Sequence, residues 1–194
     1  MIAINLRGTS GAGKSYLTRR LLAHYPHSVS NLIEGRRTPI STVYTCAGKI
    51  PLYTLGHYTA EQGGGADTVN RADGFKWLNE AAKTGGTNVL WEGVIFSDEV
   101  PQTVMLTRLI ETHVIFLSTP LEQCLADIRA RREARGNVKP LSEANTANRV
   151  RAMTSAYNRL KQSLAVAPGL KLYQMDREEA YQKCLELLGL KCKL

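Results

Sequence analysis

The chain has 194 residues, 43 % of them hydrophobic and 22 % charged, with a formal net charge of +8. That balance is ordinary for a globular chain with one full hydrophobic core, so a single domain over residues 1–194 is the expectation. No apolar run is long enough to cross a bilayer, and the four cysteines (Cys46, Cys124, Cys184, Cys192) show neither zinc spacing nor a C-x-x-C pair, so they read as reduced structural thiols.

Met1 leads directly into an apolar run, Ile2 to Leu6, which reads as a strand and leaves no place for a signal peptide. It runs into Gly8-Thr9-Ser10-Gly11-Ala12-Gly13-Lys14-Ser15, which fits the phosphate-loop pattern G-x-x-x-x-G-K-[ST]. In such a loop the glycines let backbone N–H groups close on phosphate oxygens, the lysine reaches the β- and γ-phosphates, and the serine hydroxyl binds Mg²⁺. A helix from Lys14 to His24, ended near Pro26, aims the positive end of its dipole at the same anion.

Ser28 to Ile33 reads as a second strand closing on Glu34-Gly35-Arg36-Arg37. Thr42 to Cys46 and Leu52 to Leu55 form a predicted β-hairpin inserted near the site. Gln62-Gly63-Gly64-Gly65-Ala66-Asp67 is too glycine-rich for anything but a flexible loop or one wrapped closely around a ligand. A helix from about Val69 to Lys83 ends at Gly85-Gly86.

Asn88 to Trp91 is a buried-type strand entering Glu92-Gly93, and His113 to Leu117 is another. Thr119-Pro120-Leu121-Glu122 predicts a capping box with Pro at the first helical position. The helix it opens places Leu121, Cys124, Leu125 and Ile128 on one face, becomes arginine-rich, and stops near Gly136. A long helix from about Glu143 to Val166 carries a core stripe of Val150, Met153, Tyr157, Leu160 and Leu164. Leu170 to Gln174 is the last strand, and Asp176 caps a final helix with Glu179 three residues on. Strands alternating with helices predict an α/β fold: a parallel sheet with helices on both faces and the site at the carboxyl ends of the strands.

Phosphoryl transfer needs a phosphate cradle, Mg²⁺, positive charge on the moving group, and a base or positioner for the acceptor. Lys14 and the loop supply the cradle. Glu92, at a strand end beside the loop, is the candidate to hold Mg²⁺ with Ser15, because a carboxylate there is costly to desolvate without a cation. Arg129, Arg131, Arg132 and Arg135 can swing over the nucleotide to stabilise the γ-phosphoryl oxygens. Helical phase puts 129 with 132 and 131 with 135, and does not choose between the pairs. Arg36 and Arg37 can grip an acceptor phosphate. Asp67 can orient or deprotonate an acceptor hydroxyl, and Glu34 competes for that role.

Gly8–Ser15, Trp91-Glu92-Gly93-Val94 and Arg129–Arg135 together resemble the P-loop kinases of the nucleoside and nucleoside-monophosphate group. The resemblance implies a P-loop kinase fold, ATP and Mg²⁺ as cofactors, a lid at about 129–140, metal held at the strand-end glutamate, and adenine packed near the loop before Asp176. A narrower resemblance rests on the same phosphate loop with Leu55-Gly56-His57-Tyr58 and Gly64-Gly65-Ala66-Asp67-Thr68. Those segments look like the bacteriophage 5-hydroxymethyluracil DNA kinases, a branch of the thymidylate-kinase-like proteins that phosphorylates the hydroxymethyl group on a base within DNA. The chain departs from ordinary thymidylate kinases in lacking a clear Asp-Arg-Tyr/His element. The resemblance implies DNA as the partner; no protein partner is evident in the sequence, and the reduced cysteines point to a cytoplasmic location, in the host cell for a phage-encoded chain.

Charge bears on the acceptor separately. Between Arg129 and Lys161 stand nine basic residues and two acids, a net +7 out of the total +8. Lys139, Arg149, Arg151, Arg159 and Lys161 extend the patch past the lid, as salt-sensitive contacts to a DNA backbone require. An acceptor base in a duplex must be flipped out and stacked, with Tyr44, Tyr53, Tyr58 and Trp91 as candidate platforms. The rival functions are a kinase of free nucleosides or nucleotides, and a P-loop ATPase or binding module without an acceptor.

Overall fold

The computed structural model describes residues 1–58, 65–137 and 140–190. Among them seven strands form one sheet: β1 (Ala3–Arg7), β2 (His27–Asn31), β3 (Ser41–Thr45), β4 (Leu52–Leu55), β5 (Asn88–Glu92), β6 (Thr112–Leu117) and β7 (Leu170–Met175), in the order β2-β3-β4-β5-β1-β6-β7. From β4 to β7 every neighbouring pair is parallel, while β2, β3 and β4 pair antiparallel. The predicted hairpin is β3 with β4. Its second arm continues the parallel sheet beside β5 and so is part of the main framework.

The strand expected at Ser28–Ile33 is β2, His27–Asn31, at the antiparallel edge of the sheet, with all five residues exposed. Its sequence, His-Ser-Val-Ser-Asn, offers one apolar side chain, whereas all four residues of β4 are buried. Two-sided burial belongs to continuous apolar runs, so β4 takes the inner position.

Among the described residues six α-helices cover the sheet: α1 (Lys14–Leu22), α2 (Arg71–Thr84), α3 (Pro101–Leu106), α4 (Leu121–Glu133), α5 (Glu143–Ser163) and α6 (Arg177–Leu187). Alternation along β1 sorts them. Ile4 and Leu6 pack with α1 and α6 residues such as Leu17, Leu21 and Cys184. Ala3 faces the other side with α2 and α3, where Leu78, Trp91, Phe96 and Leu106 meet. Beside them α5 covers β6 and β7 through Ala156 and Leu160 against Val114, Phe116 and Leu170. Of the predicted α5 stripe, Met153, Tyr157 and Leu160 pack into this cluster; the helix ends at Ser163, and Leu164 is exposed.

Two helix starts separate a capping pattern from a capping bond. Asp176 caps α6 in a reciprocal box with Glu179, as its sequence predicts. At α4 the N-cap is Pro120 and no side chain caps it. The Thr119 hydroxyl instead donates to Ala12 O at 2.9 Å, because the phosphate loop lies within reach. Among the described residues no helix is long and apolar enough to cross a membrane.

Candidate active site

β1 lies between β5 and β6, where the strand order reverses, and such a switch point opens a crevice beyond the strand ends. The phosphate loop turns there from β1 into α1. Gly11 and Gly13 adopt φ of +78° and +95°. A Cβ on Gly11 would overlap the Cys124 carbonyl, and one on Gly13 would lie 2.7 Å from Arg177 Nε. Glycine is therefore required at both positions by conformation and by space.

Lys14 is buried, its Nζ donating to Gly8 O at 2.9 Å and Thr9 O at 3.1 Å. Burial pushes its pKa down, while Glu92 and then Asp67 act to raise it. Ser15 Oγ donates to Glu92 Oε1 at 2.8 Å. Glu92, 2 % exposed at the end of β5, has its pKa raised by desolvation, against the pull of Lys14 and the Ser15 hydrogen bond. One buried cation and one buried carboxylate thus share the crevice floor with a serine hydroxyl.

A cavity of about 540 Å³ opens above them, a normal size for a small-ligand site. Ser10, Gly11, Gly13, Lys14 and Ser15 of the loop line it, together with Asp67, Glu92, Arg131 and Arg135. Gly8, Thr9 and Ala12 complete the loop through their backbone: Gly8 O and Thr9 O hold Lys14, and Ala12 N–H donates to Thr9 O.

Asp67 sits in a 3₁₀ turn, Ala66–Thr68, where its Oδ1 accepts from Ile95 N–H at 3.1 Å. The segment after β5 therefore orients this carboxylate. Arg36 Nη2 donates to Thr68 O at 2.9 Å, which braces the same turn. Glu34 and Arg37 are exposed in the β2–β3 connection and do not line the cavity. The glycines Gly63 and Gly64 of the preceding loop lie outside the described residues.

The arginine-rich end of α4 divides by helical phase. Arg131 and Arg135 reach the cavity, whereas Arg129 pairs with Glu143 of α5 and Arg132 is not part of the lining. Burial first, then the neighbouring charges of Arg135 and Arg132, lower the Arg131 pKa. Such crowding of like charge favours an anion between them.

Four further groups escape a sequence reading. Tyr16 and Arg19 line the cavity from the first turns of α1. Arg19 follows Ser15 by one helical turn, a spacing visible in the sequence. Asp127 also lines the cavity and pairs with Arg177 of α6 across a sequence separation of 50, which no local pattern encodes. Of the candidate stacking rings, Trp91 and Tyr53 are buried, while Tyr44 and Tyr58 pack against the core. Tyr16, 60 % exposed, is the aromatic ring on the cavity among the described residues.

The basic helix flanks the same region. Arg159 Nη2 donates to Asp98 O at 3.1 Å, and Arg71 pairs with Asp98 and Glu99, so α5 and α2 meet at the segment after β5. Arg149 and Arg151 are exposed on α5; Lys139 lies outside the described residues.

No family model matches the chain. A curated 5-hmdU DNA kinase of Pseudomonas phage PaMx11 is 34 % identical over 187 residues, covering 95 % of this chain and 96 % of the phage protein. Identity at that level along nearly the whole of both chains goes with a common ancestry, and the chain belongs to the 5-hmdU DNA kinase family.

Proposed function

We propose that this chain transfers the γ-phosphate of ATP to the hydroxymethyl group of 5-hydroxymethyluracil within DNA, a step toward hypermodified thymidine in phage DNA. The observation that carries the reading is the convergence of Lys14, Ser15, Glu92, Asp67, Arg131 and Arg135 on one cavity, in a chain of this family. The loop amides and Lys14 grip the β- and γ-phosphates. Arg131 and Arg135 stabilise the charge that spreads over the γ-phosphoryl oxygens. The acceptor oxygen bonds to the γ-phosphorus as the bond to the β–γ bridging oxygen breaks and ADP leaves. Asp67, held by Ile95 N–H, orients the acceptor hydroxyl and takes its proton.

The donors around Ser15 suit Mg²⁺. They are hard oxygens, and the Glu92 carboxylate is buried with its charge only partly compensated. Among the described residues no group of three or more His, Cys, Asp or Glu could hold a metal ion. That fits an ion bound by one or two side chains, water and substrate phosphates. When bound, Mg²⁺ supplies charge neutralisation on the phosphate oxygens.

DNA as acceptor is supported by the basic helix α5, whose Arg159 reaches the segment that orients Asp67 and whose Arg149 and Arg151 are exposed. The test is one tube containing labelled ATP, DNA with 5-hydroxymethyluracil, matching plain DNA, and free nucleosides and nucleotides. Label in the modified DNA alone, resistant to removal of terminal phosphates, is the expected result. Label in a free nucleotide would make the chain a metabolic kinase.

A further inference from the structure

The guanidinium of Arg177, the first residue of α6, joins two parts of the cavity that are far apart in sequence. Its Nε donates to Ala12 O at 3.0 Å and its Nη2 to Gly11 O at 2.6 Å, both on the phosphate loop. The same Nη2 pairs with Asp127 Oδ2 on α4. Asp127 lines the cavity, and Arg131 stands one turn further along that helix. The reciprocal capping box of Asp176 and Glu179 fixes the start of α6, so Arg177 projects from a rigid base. The Thr119 hydroxyl makes a second bond to Ala12 O.

Peptide planarity turns these hydrogen bonds into a constraint on the cradle. In a trans peptide the carbonyl and the following N–H point in opposite directions, and the described chain contains no cis peptide. Gripping Ala12 O therefore turns Gly13 N–H away from Arg177, and Gly13 lines the cavity. A Cβ at residue 13 would press on the guanidinium, so loop and arginine are fitted to each other.

We propose that Arg177 is a positioning residue for the donor nucleotide: it sets the amide cradle and couples the phosphate loop to the lid helix through Asp127. This rests on the donor-nucleotide reading above. A fork with two donors is needed to hold two adjacent carbonyls and a carboxylate, which a lysine ammonium cannot reproduce in that geometry.

The experiment is calorimetric titration of ADP into the full chain and into R177M, R177K, D127N and R177M/D127N. Thermal midpoints and KM values for ATP and acceptor DNA are measured on the same samples. R177M should bind ADP roughly ten- to a hundredfold more weakly, the equivalent of losing charge-assisted bonds to the loop. KM for ATP should rise in parallel while KM for DNA stays within about twofold, as expected for loss of uniform donor binding. R177K should recover little, and R177M/D127N should be no worse than R177M, since the two residues act as one unit.

A loss of ADP affinity smaller than about tenfold in folded R177M would overturn the inference, since that is the least the missing bonds predict. Full rescue by R177K would overturn it as well, by reducing the role to a point charge. A lowered midpoint with both KM values raised together would mark a merely structural residue and refute it. Wild-type protein that fails to bind ADP would remove the donor reading itself and this inference with it.

Discussion

Replacing Lys14 by methionine separates the stability of the crevice floor from its chemistry. The side chain is buried, so methionine occupies nearly the same volume. The folded state loses two hydrogen bonds, to Gly8 O and Thr9 O, worth about 1 kcal/mol each. Against that loss, the variant no longer buries an ammonium group whose desolvation lowers its own pKa, although Glu92 loses its strongest favourable charge. These effects oppose one another, and the net change should stay within about 2 kcal/mol, or roughly 4–8 °C in Tm for a chain of this size. The transition state loses a preorganised cation at the phosphates, worth about 3–4 kcal/mol, so transfer should fall about 10²- to 10³-fold. The assay is transfer of labelled γ-phosphate to modified DNA at saturating ATP, with a melting curve on the same preparation. A folded Lys14→Met protein turning over within about tenfold of wild type would refute this account of the phosphate loop, because one removed donor of this kind costs more than that.

Asp67→Asn keeps an acceptor for Ile95 N–H but loses the proton acceptor, so kcat should fall about 10²- to 10⁴-fold with KM for ATP unchanged. Single-turnover kinetics check this, and an unchanged rate would take the role away from Asp67. Glu92 contributes a pH dependence with a definite sign. Its folded pKa is raised, so between the unfolded and folded values the native state holds the extra proton, and stability falls as pH rises through that window. Urea denaturation of the nucleotide-free protein from pH 4 to 8 should show this fall in wild type and lose that component in Glu92→Gln; identical pH slopes would contradict it. Neutralising Arg149, Arg151 and Arg159 together should weaken DNA binding and flatten log K against log salt by roughly 0.9 for each DNA phosphate no longer neutralised. An unchanged slope would remove α5 from the DNA surface.

The chemistry of the crevice floor is written in contiguous residues. Gly8 to Ser15 and the strand running into Glu92 are local patterns, and each needs only its own turn or strand to bring its donors to a sheet end. The α6 capping box is legible for the same reason, since Asp176 and Glu179 bond within one helical turn. The corresponding pattern before α4 misleads, because whether the Thr119 hydroxyl caps its own helix depends on what else is near. Here Ala12 O, 107 residues away, takes it. The stacking rings mislead in a related way: Tyr53 and Trp91 look available for a base, but strand alternation inside a covered sheet spends them on the core.

Local patterns are enough to specify an α/β chain with a phosphate loop, a strand-end carboxylate and an arginine-rich helix end, because backbone conformation and hydrophobic period encode those features. Long-range packing assigns Arg131 and Arg135 to the cavity while Arg129 is spent on Glu143. It also makes β2 an exposed edge and β4 a buried inner strand, and lets Arg177 reach back 166 residues to Gly11 O. The reason is physical: a charged side chain takes its role from the partners that desolvate or pair with it. Those partners arrive only when the sheet order and helix packing bring distant segments together.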